Sequence, residues 1–181
     1  MNDNKADIFL WHAFKQGDRQ AFDQLFRRYY PVLLQYGSKV CPELDKLEDC
    51  IQELFIEIWQ SRASGQVQSV KAYLLKSLKY KLYRQTQSSR AMKTVNQLED
   101  EMSFVLSYDH FLIEKEESQR SAQRIMDAVN KLPNRQKEII YLKIYQGLSY
   151  DEISEVMNIN YQVARNLFSQ SLKSLKQILV N

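Results

Sequence analysis

Apolar residues recur at helical spacing along most of the chain, and the pattern is clearest in residues 147–176. Ser149, with Glu152 three positions later, forms a capping box, which predicts that a helix begins directly after the serine. Asn158 can end that helix in a left-handed conformation, and Asn160 can cap the next one, so roughly three residues would separate two helices. Two helices joined this tightly must cross steeply, which is the pattern of a helix-turn-helix.

The second of these helices has an outer face that is polar, basic and free of acids, because no Asp or Glu follows Glu155. In a helix-turn-helix the second helix lies in the DNA major groove and reads base edges with its N-terminal residues. A surface hairpin with one polar face is the structural alternative, and the combination of box, short turn and acid-free helix favours DNA binding. The candidate DNA-contacting residues are Tyr161, Gln162, Arg165, Asn166, Ser169 and Lys173.

A second amphipathic helix is predicted over residues 47–60, with an apolar stripe formed by Ile51, Leu54, Phe55 and Ile58. Another face carries carboxylates four residues apart, at Asp49, Glu53 and Glu57. Carboxylates at this spacing repel each other by a few tenths of a kcal/mol, so a row without a lysine four residues on is mildly unfavourable in isolation. The row is either a solvated face near basic neighbours or a surface that binds a basic partner.

The next segment, residues 70–90, is basic: six Lys and Arg and no acid occur in residues 71–90. Leu74, Leu75, Leu78 and Leu82 supply a buried side, and charges alternate with rings elsewhere. Cations can hold phosphates, and aromatic rings can stack on unpaired bases at about 1–3 kcal/mol per base. Tyrosines can equally be core residues. The candidate nucleic-acid contacts are Lys76, Lys79, Tyr80, Lys81, Tyr83 and Arg84.

Charge divides the chain into three parts. Residues 1–90 hold 14 Lys and Arg against 10 Asp and Glu, residues 91–120 hold 3 against 7, and residues 121–181 hold 8 against 5. The acidic middle also lacks a sustained helical stripe, which favours a flexible linker. We therefore expect an all-α chain with two small helical domains, at residues 1–90 and 121–181, joined by a flexible acidic linker at residues 91–120.

Composition narrows the class of protein. With four Gly and three Pro in 181 residues, the chain has too few turn residues for a β-sandwich or barrel. It shows no apolar run long enough for a membrane span and no signal peptide, so a cytoplasmic location is expected. Cys41 and Cys50 are expected to be reduced packing residues. Neither they nor His12 and His110 have partners at metal-ligand spacing, so no metal or other cofactor is expected.

Two other classes of protein would carry different sequence signals. An ordinary helix-turn-helix regulator would need a sensor with a ligand pocket or alternating strands and helices in the first ninety residues, and the sequence shows neither Gly-rich turns nor strand periodicity there. An enzyme acting on nucleic acid would need a phosphate-binding glycine loop or a catalytic constellation, and neither is present. We expect a chain that is not an enzyme.

Four stretches carry a family resemblance. In this order they are "GDRQAFDQLFRRYYPVLL", "EDCIQELFIEIW", "AYLLKSLKYKLYR" and "LPNRQKEIIYLKIYQGLSYDEISEVMNINYQVARNLFSQSLKSL". Together they resemble bacterial RNA polymerase sigma factors of the extracytoplasmic-function (ECF) group. The resemblance implies a sigma-2 domain that binds the polymerase clamp helices and melts the promoter −10 element. It also implies a sigma-4 domain that reads the −35 element and, in many such proteins, an anti-sigma factor, often membrane-bound, that holds the chain inactive.

The resemblance also implies roles for particular residues. Asp49, Gln52 and Glu53 would face the polymerase clamp, and residues 61–70 would help to hold a flipped-out base. The basic helix would meet the −10 region, whereas Gln162, Arg165 and Asn166 would face the −35 major groove with Lys173 nearer phosphate. The expected partners are core RNA polymerase, promoter DNA and an anti-sigma factor. The alternative function is a helix-turn-helix regulator that acts without binding core polymerase.

Overall fold

The computed structural model describes residues 3–61, 67–87, 103–106 and 116–180. Every regular element in this part of the chain is helical, which confirms the prediction of an all-α fold. The chain divides into two compact units, Met1–Met92 and Lys93–Asn181. Most of the predicted linker and five residues of the 61–70 loop, 62–66, lie outside the described residues.

The first unit contains four helices: α1 (Asp3–Lys15), α2 (Arg19–Gly37), α3 (Leu44–Ser61) and α4 (Val70–Gln87). Helix α2 packs against the other three. Asp18 caps it, since its Oδ1 accepts hydrogen bonds from the backbone N–H groups of Gln20 at 2.8 Å and Ala21 at 3.1 Å. The predicted apolar stripes of α3 and α4 are buried in the centre of the unit, which fixes the faces that these helices turn outward.

Helix α1 was not among the predicted elements. It is held by the buried Trp11, whose ring meets that of Tyr73 in α4 edge to face with the centroids 5.2 Å apart. Asp7 is also buried, and it accepts hydrogen bonds from the Arg28 guanidinium and the Tyr29 hydroxyl of α2. Burial of a carboxylate requires such partners, so this pairing ties α1 to α2.

The second unit contains α5 (Glu116–Asn130), α6 (Asn134–Ile140), a π-helical turn (Tyr141–Tyr145), α7 (Tyr150–Met157) and α8 (Tyr161–Val180). Its apolar cluster consists of Val129, Leu132 and Ile140, against which three residues of α8 pack: Phe168, Leu175 and Ile178. The long α8 therefore uses one face to hold the unit together, which leaves its other face at the surface.

Residues 103–106, which have no regular secondary structure, pack within the second unit. Phe104 is buried, and its ring centroid lies 5.7 Å from that of Tyr141. The Asn130 side chain holds Leu106 at two points, because its Nδ2 donates to the Leu106 carbonyl at 2.8 Å and its Oδ1 accepts from the Leu106 N–H at 3.0 Å. Asn134 Oδ1 accepts from the Phe104 N–H at 3.2 Å. This segment and the start of α5 both lie inside the range predicted as a linker, 91–120.

Candidate nucleic-acid and protein interfaces

The turn between α7 and α8 has the predicted capping. The Ser149 N–H donates to Glu152 Oε2 at 2.8 Å, and the Glu152 N–H donates to Ser149 Oγ at 3.3 Å, which completes the capping box. Asn158 ends α7 in the left-handed region at φ 50°. Asn160 Oδ1 accepts from the Val163 N–H at 2.8 Å, so it caps α8. These local bonds confirm the predicted pair of helices, and the first three residues of α8 are exposed.

The outer face of α8 presents all six candidate DNA-contacting residues, since each is exposed: Tyr161, Gln162, Arg165, Asn166, Ser169 and Lys173. Gln162 Nε2 donates to Asn166 Oδ1 at 3.0 Å. The Arg165 guanidinium lies 6.0 Å from the centroid of the Tyr161 ring, a cation–π distance. The N-terminal end of α8 therefore presents two side-chain amides that are hydrogen-bonded to each other and one guanidinium that lies near an aromatic ring.

A groove of about 1100 Å³ runs between α3 and α4. The α3 side contributes acids, and the α4 side contributes rings, hydroxyls and cations. The residues that line the groove include Asp49, Glu53, Glu57, Tyr80, Lys81 and Arg84. The structure therefore brings two of the predicted polymerase contacts and three of the predicted −10 contacts to the same groove. Tyr73 and Ser77 also line the groove, although neither was among the candidate residues. They lie eight and four residues before Lys81, on the same face of α4.

Lys81 bridges two members of the carboxylate row. Its Nζ lies 2.9 Å from Glu53 Oε2 and 2.7 Å from Glu57 Oε1. The Lys81 side chain is 15% exposed, whereas both carboxylates remain mostly exposed. Burial lowers the pKa of Lys81, but the hydrogen bonds to Glu57 and Glu53 outweigh that effect and raise it overall. The row that has no lysine partner within its own helix is thus partly neutralised by the neighbouring helix.

The structure buries two of the predicted −10 contacts. Lys79 is 2% exposed and Tyr83 is 5% exposed, and the Lys79 ammonium lies 5.6 Å from the centroid of the Tyr83 ring. Helical spacing explains the first case, because Lys79 comes four residues after Leu75 and three before Leu82, inside the leucine stripe. We therefore correct the prediction: neither residue lies at the surface of α4. Lys76 and Tyr80 are half-buried and Arg84 is exposed.

A second, mainly apolar groove of about 570 Å³ lies between α2 and α3. Phe26, Phe55, Ile56 and Trp59 line it, and Gln52 borders it. The three predicted polymerase contacts on α3 therefore lie at two different grooves. Asp49 and Glu53 line the groove between α3 and α4, and Gln52 lines the groove between α2 and α3. All three are exposed.

In the part of the chain that the structure describes, no group of three His, Cys, Asp or Glu side chains is arranged to hold a metal ion. Among the described helices, none is long and apolar enough to cross a membrane. Cys41 and Cys50 are free thiols, and burial raises the pKa of Cys50 to about 11, as suits a packing residue.

Comparison with known proteins matches both units to one family. Residues 25–92 match Sigma-70 region 2, and residues 122–175 match Sigma-70, region 4. The ECF RNA polymerase sigma-E factor of Haemophilus influenzae is 28% identical over 169 residues, covering 87% of each chain. The chain belongs to the sigma-70 family of RNA polymerase sigma factors, in the extracytoplasmic-function group. An independent helix-turn-helix regulator is not favoured.

Two solved structures share the fold. CnrH in complex with the cytosolic domain of CnrY has a TM-score of 0.63 and 20% identity, covering 96% of this chain and 97% of that one. The sigma factor RpoE of Bartonella quintana, in complex with the anti-sigma factor NepR, has a TM-score of 0.58 and 20% identity, covering 87% and 96%.

Proposed function

We propose that this RNA polymerase sigma factor uses three exposed helices for three tasks: α3 binds core polymerase, α4 contacts the −10 element, and α8 reads the −35 element. The observation that carries the proposal is the order of the two matches along the chain. Region 2 matches the unit that contains the carboxylate row of α3 and the basic helix α4, and region 4 matches the unit that contains the helix-turn-helix of α7 and α8. The function is therefore promoter-specific initiation of transcription by core polymerase.

Helix α3 presents Asp49, Gln52 and Glu53 for polymerase. The carboxylate of Asp49 is exposed, and it makes no hydrogen bond or ion pair with another of the described residues. Its whole negative charge is therefore available to a basic group of a partner protein. Glu53 offers a second carboxylate but shares it with Lys81. Complementary charge of this kind steers encounter and fixes the register of a protein interface.

Helix α4 supplies the −10 contacts from its exposed and half-buried residues, namely Lys76, Tyr80 and Arg84. The Tyr80 ring and the Arg84 guanidinium line the same groove, so a ring that stacks on an unpaired base and a cation that holds phosphate lie on one surface. Lys79 and Tyr83 have supporting roles in the core. Lys81 orders the groove through its two carboxylate partners.

Helix α8 supplies the −35 contacts from its N-terminal residues, as in other helix-turn-helix proteins. Gln162, Arg165 and Asn166 face the major groove in this proposal, and Lys173, two turns further along, approaches phosphate. The chain itself performs no catalysis, since bond formation belongs to the polymerase. It acts in the cytoplasm, where bacterial polymerase and promoters are found, and an anti-sigma factor is its natural antagonist, as NepR is for RpoE.

Polymerase binding by Asp49→Lys tests the α3 assignment. Reversing this charge places a cation against a basic partner, so we expect affinity of the full chain for core polymerase to fall at least about tenfold. Asp45→Lys is the matched control, because it makes the same charge change one turn earlier on α3, outside both grooves. Affinity is measured by titrating labelled chain with core polymerase, with circular dichroism to verify helicity. Equal affinities for the two variants would contradict the assignment.

A further inference from the structure

One stretch of the chain between the two sigma-70 matches is held in the second unit by its backbone as well as its side chains. The Asn130 amide bonds to both polar groups of the Leu106 backbone, at 2.8 and 3.0 Å, and Asn134 accepts from the Phe104 N–H at 3.2 Å. Phe104 is buried and Leu106 packs against the apolar cluster of the unit, whereas Val105 between them is 52% exposed. Main-chain hydrogen bonds with apolar anchors at alternate positions are the elements of specific peptide docking.

The docked segment, residues 103–106, divides the chain that joins the two units. Helix α4 ends at Gln87 and α5 begins at Glu116, so 28 residues, 88–115, separate the two helices along the sequence. With residues 103–106 held on the second unit, only 15 residues, 88–102, connect them to α4. A chain spans at most about 3.3–3.6 Å per residue, so docking shortens the longest possible connection from about 100 Å to about 55 Å.

The distance between two promoter elements makes this difference important. Elements centred about 25 base pairs apart lie about 85 Å apart along B-DNA, which rises about 3.4 Å per base pair. Each folded unit has about 90 residues and is about 30 Å across, so the two units add at most about 60 Å to the reach. The docked connection therefore reaches at most about 115 Å, which suffices for this spacing but not for one helical turn more, at about 120 Å. The undocked connection would reach both.

We propose that residues 103–106 act as a clip, which shortens the connection between the two units and thereby limits how far apart the two promoter elements can lie. The inference rests on the proposed roles of α4 and α8, and it adds a determinant of spacing that lies outside both DNA-binding helices. Effective concentration falls roughly as the −3/2 power of linker length, so release of the clip should also weaken initiation at the native spacing by about 2- to 3-fold.

Selection with the full chain bound to core polymerase identifies the pair of elements, and transcription is then measured on templates with one extra helical turn, about 10 base pairs, between them. The wild type should initiate there no better than on a template without the upstream element. In Phe104→Ala/Leu106→Ala, the upstream element should stimulate initiation on the longer template at least about threefold. Val105→Ala is the matched control, because its side chain is exposed, and it should behave like the wild type.

A second variant separates the length of the connection from the stability of the second unit. Inserting about 13 Gly and Ser residues after Met92 lengthens the connection to the same extent and keeps the clip contacts, so it should reproduce the spacing profile of the double variant. If circular dichroism shows that the double variant has lost helicity, the insertion variant decides alone.

A wild-type spacing profile in the insertion variant, or a folded double variant that differs from it, would overturn the inference and leave promoter-specific initiation intact. Initiation without any shared pair of elements would overturn both the inference and the proposed roles of α4 and α8.

Discussion

At the residue scale, Lys81 differs from the other cations of α4 because two carboxylates of α3 already hold it. Its Nζ lies within 2.9 Å of both Glu53 and Glu57, and its side chain is mostly buried. Arg84, three residues on, is exposed in the same groove. A cation that is paired within the protein releases few counterions from DNA, whereas an unshielded one at a phosphate releases about one.

Salt dependence of promoter binding separates these two cations. Affinity falls as salt rises, so the slope of log affinity against log salt is negative. For Arg84→Ala in the polymerase complex, we expect this slope to become less negative by about 1. Lys81→Ala should change the slope by much less and should instead reduce the stability of the first unit by up to about 1 kcal/mol, as for other ion pairs with exposed partners. Equal changes in slope would mean that Lys81 leaves its carboxylates when DNA binds.

The two variants are best compared near neutral pH, because of the pKa of Lys81. In the folded state burial lowers this pKa, but the hydrogen bonds to Glu57 and Glu53 raise it by more, so the net effect is a rise. A raised pKa on a cation contributes stability that is fully present below the unfolded value, and that stability is lost as pH rises through the folded value. The unfolded value for lysine is about 10.4, so the pair contributes in full near neutral pH.

At the element scale, the joint between α7 and α8 depends on a single left-handed residue, Asn158, at φ 50°. The left-handed conformation costs a non-glycine residue about 1–2 kcal/mol, and the cost is lowest for Asn because its short polar side chain can form local hydrogen bonds. Asn158→Ala should therefore destabilise the second unit by about 1 kcal/mol, whereas Asn158→Gly should be nearly neutral or stabilising. Urea denaturation followed by helicity measures both. A Gly variant as unstable as the Ala variant would show that the side chain, not the backbone, matters.

Residues 103–106 form a second element whose energetic weight can be measured. Phe104 is buried against Tyr141, so Phe104→Ala should destabilise the second unit by about 3 kcal/mol through lost burial and a cavity. Val105, the next residue, is 52% exposed, and Val105→Ala is a matched control that should change stability by less than about 0.5 kcal/mol. If both variants unfold like the wild type in urea, the segment contributes nothing to the unit.

Local signals account for what the sequence predicted well. The capping box at Ser149, the stop at Asn158 and the leucine stripe of α4 each depend on residues within a turn or two of one another. Contacts between distant residues account for what it missed. Phe104 packs on Tyr141, and Lys81 pairs with Glu53, only because the fold brings them together. Lys79 is an intermediate case, since its place in the stripe was visible but its charge argued for the surface.

At the scale of the whole molecule, two compact units share one chain, and each presents a polar helix that is proposed to contact DNA. Tethering makes the second contact intramolecular, so two modest contacts can select a site that neither would hold alone. The benefit depends on both DNA elements being reachable at once.

Promoter spacing tests this dependence. Inserting about five base pairs between the two selected elements rotates one of them by half a helical turn. We expect initiation to fall to the level of a promoter whose upstream element has been deleted. Substituting the same number of spacer bases at constant length is the control and should leave initiation largely unchanged. Full activity after the insertion would mean that the two units bind independently.

Sigma-factor function is tested most directly by transcription reconstituted from the full chain, core RNA polymerase and a pool of bacterial genomic fragments. Core polymerase alone is expected to initiate without preference. With the chain present, initiation should occur at a fixed distance downstream of a shared pair of elements, and Asp49→Lys should reduce this initiation. Sequence-specific DNA binding by the chain alone, with no association with polymerase and no change in initiation, would contradict this function.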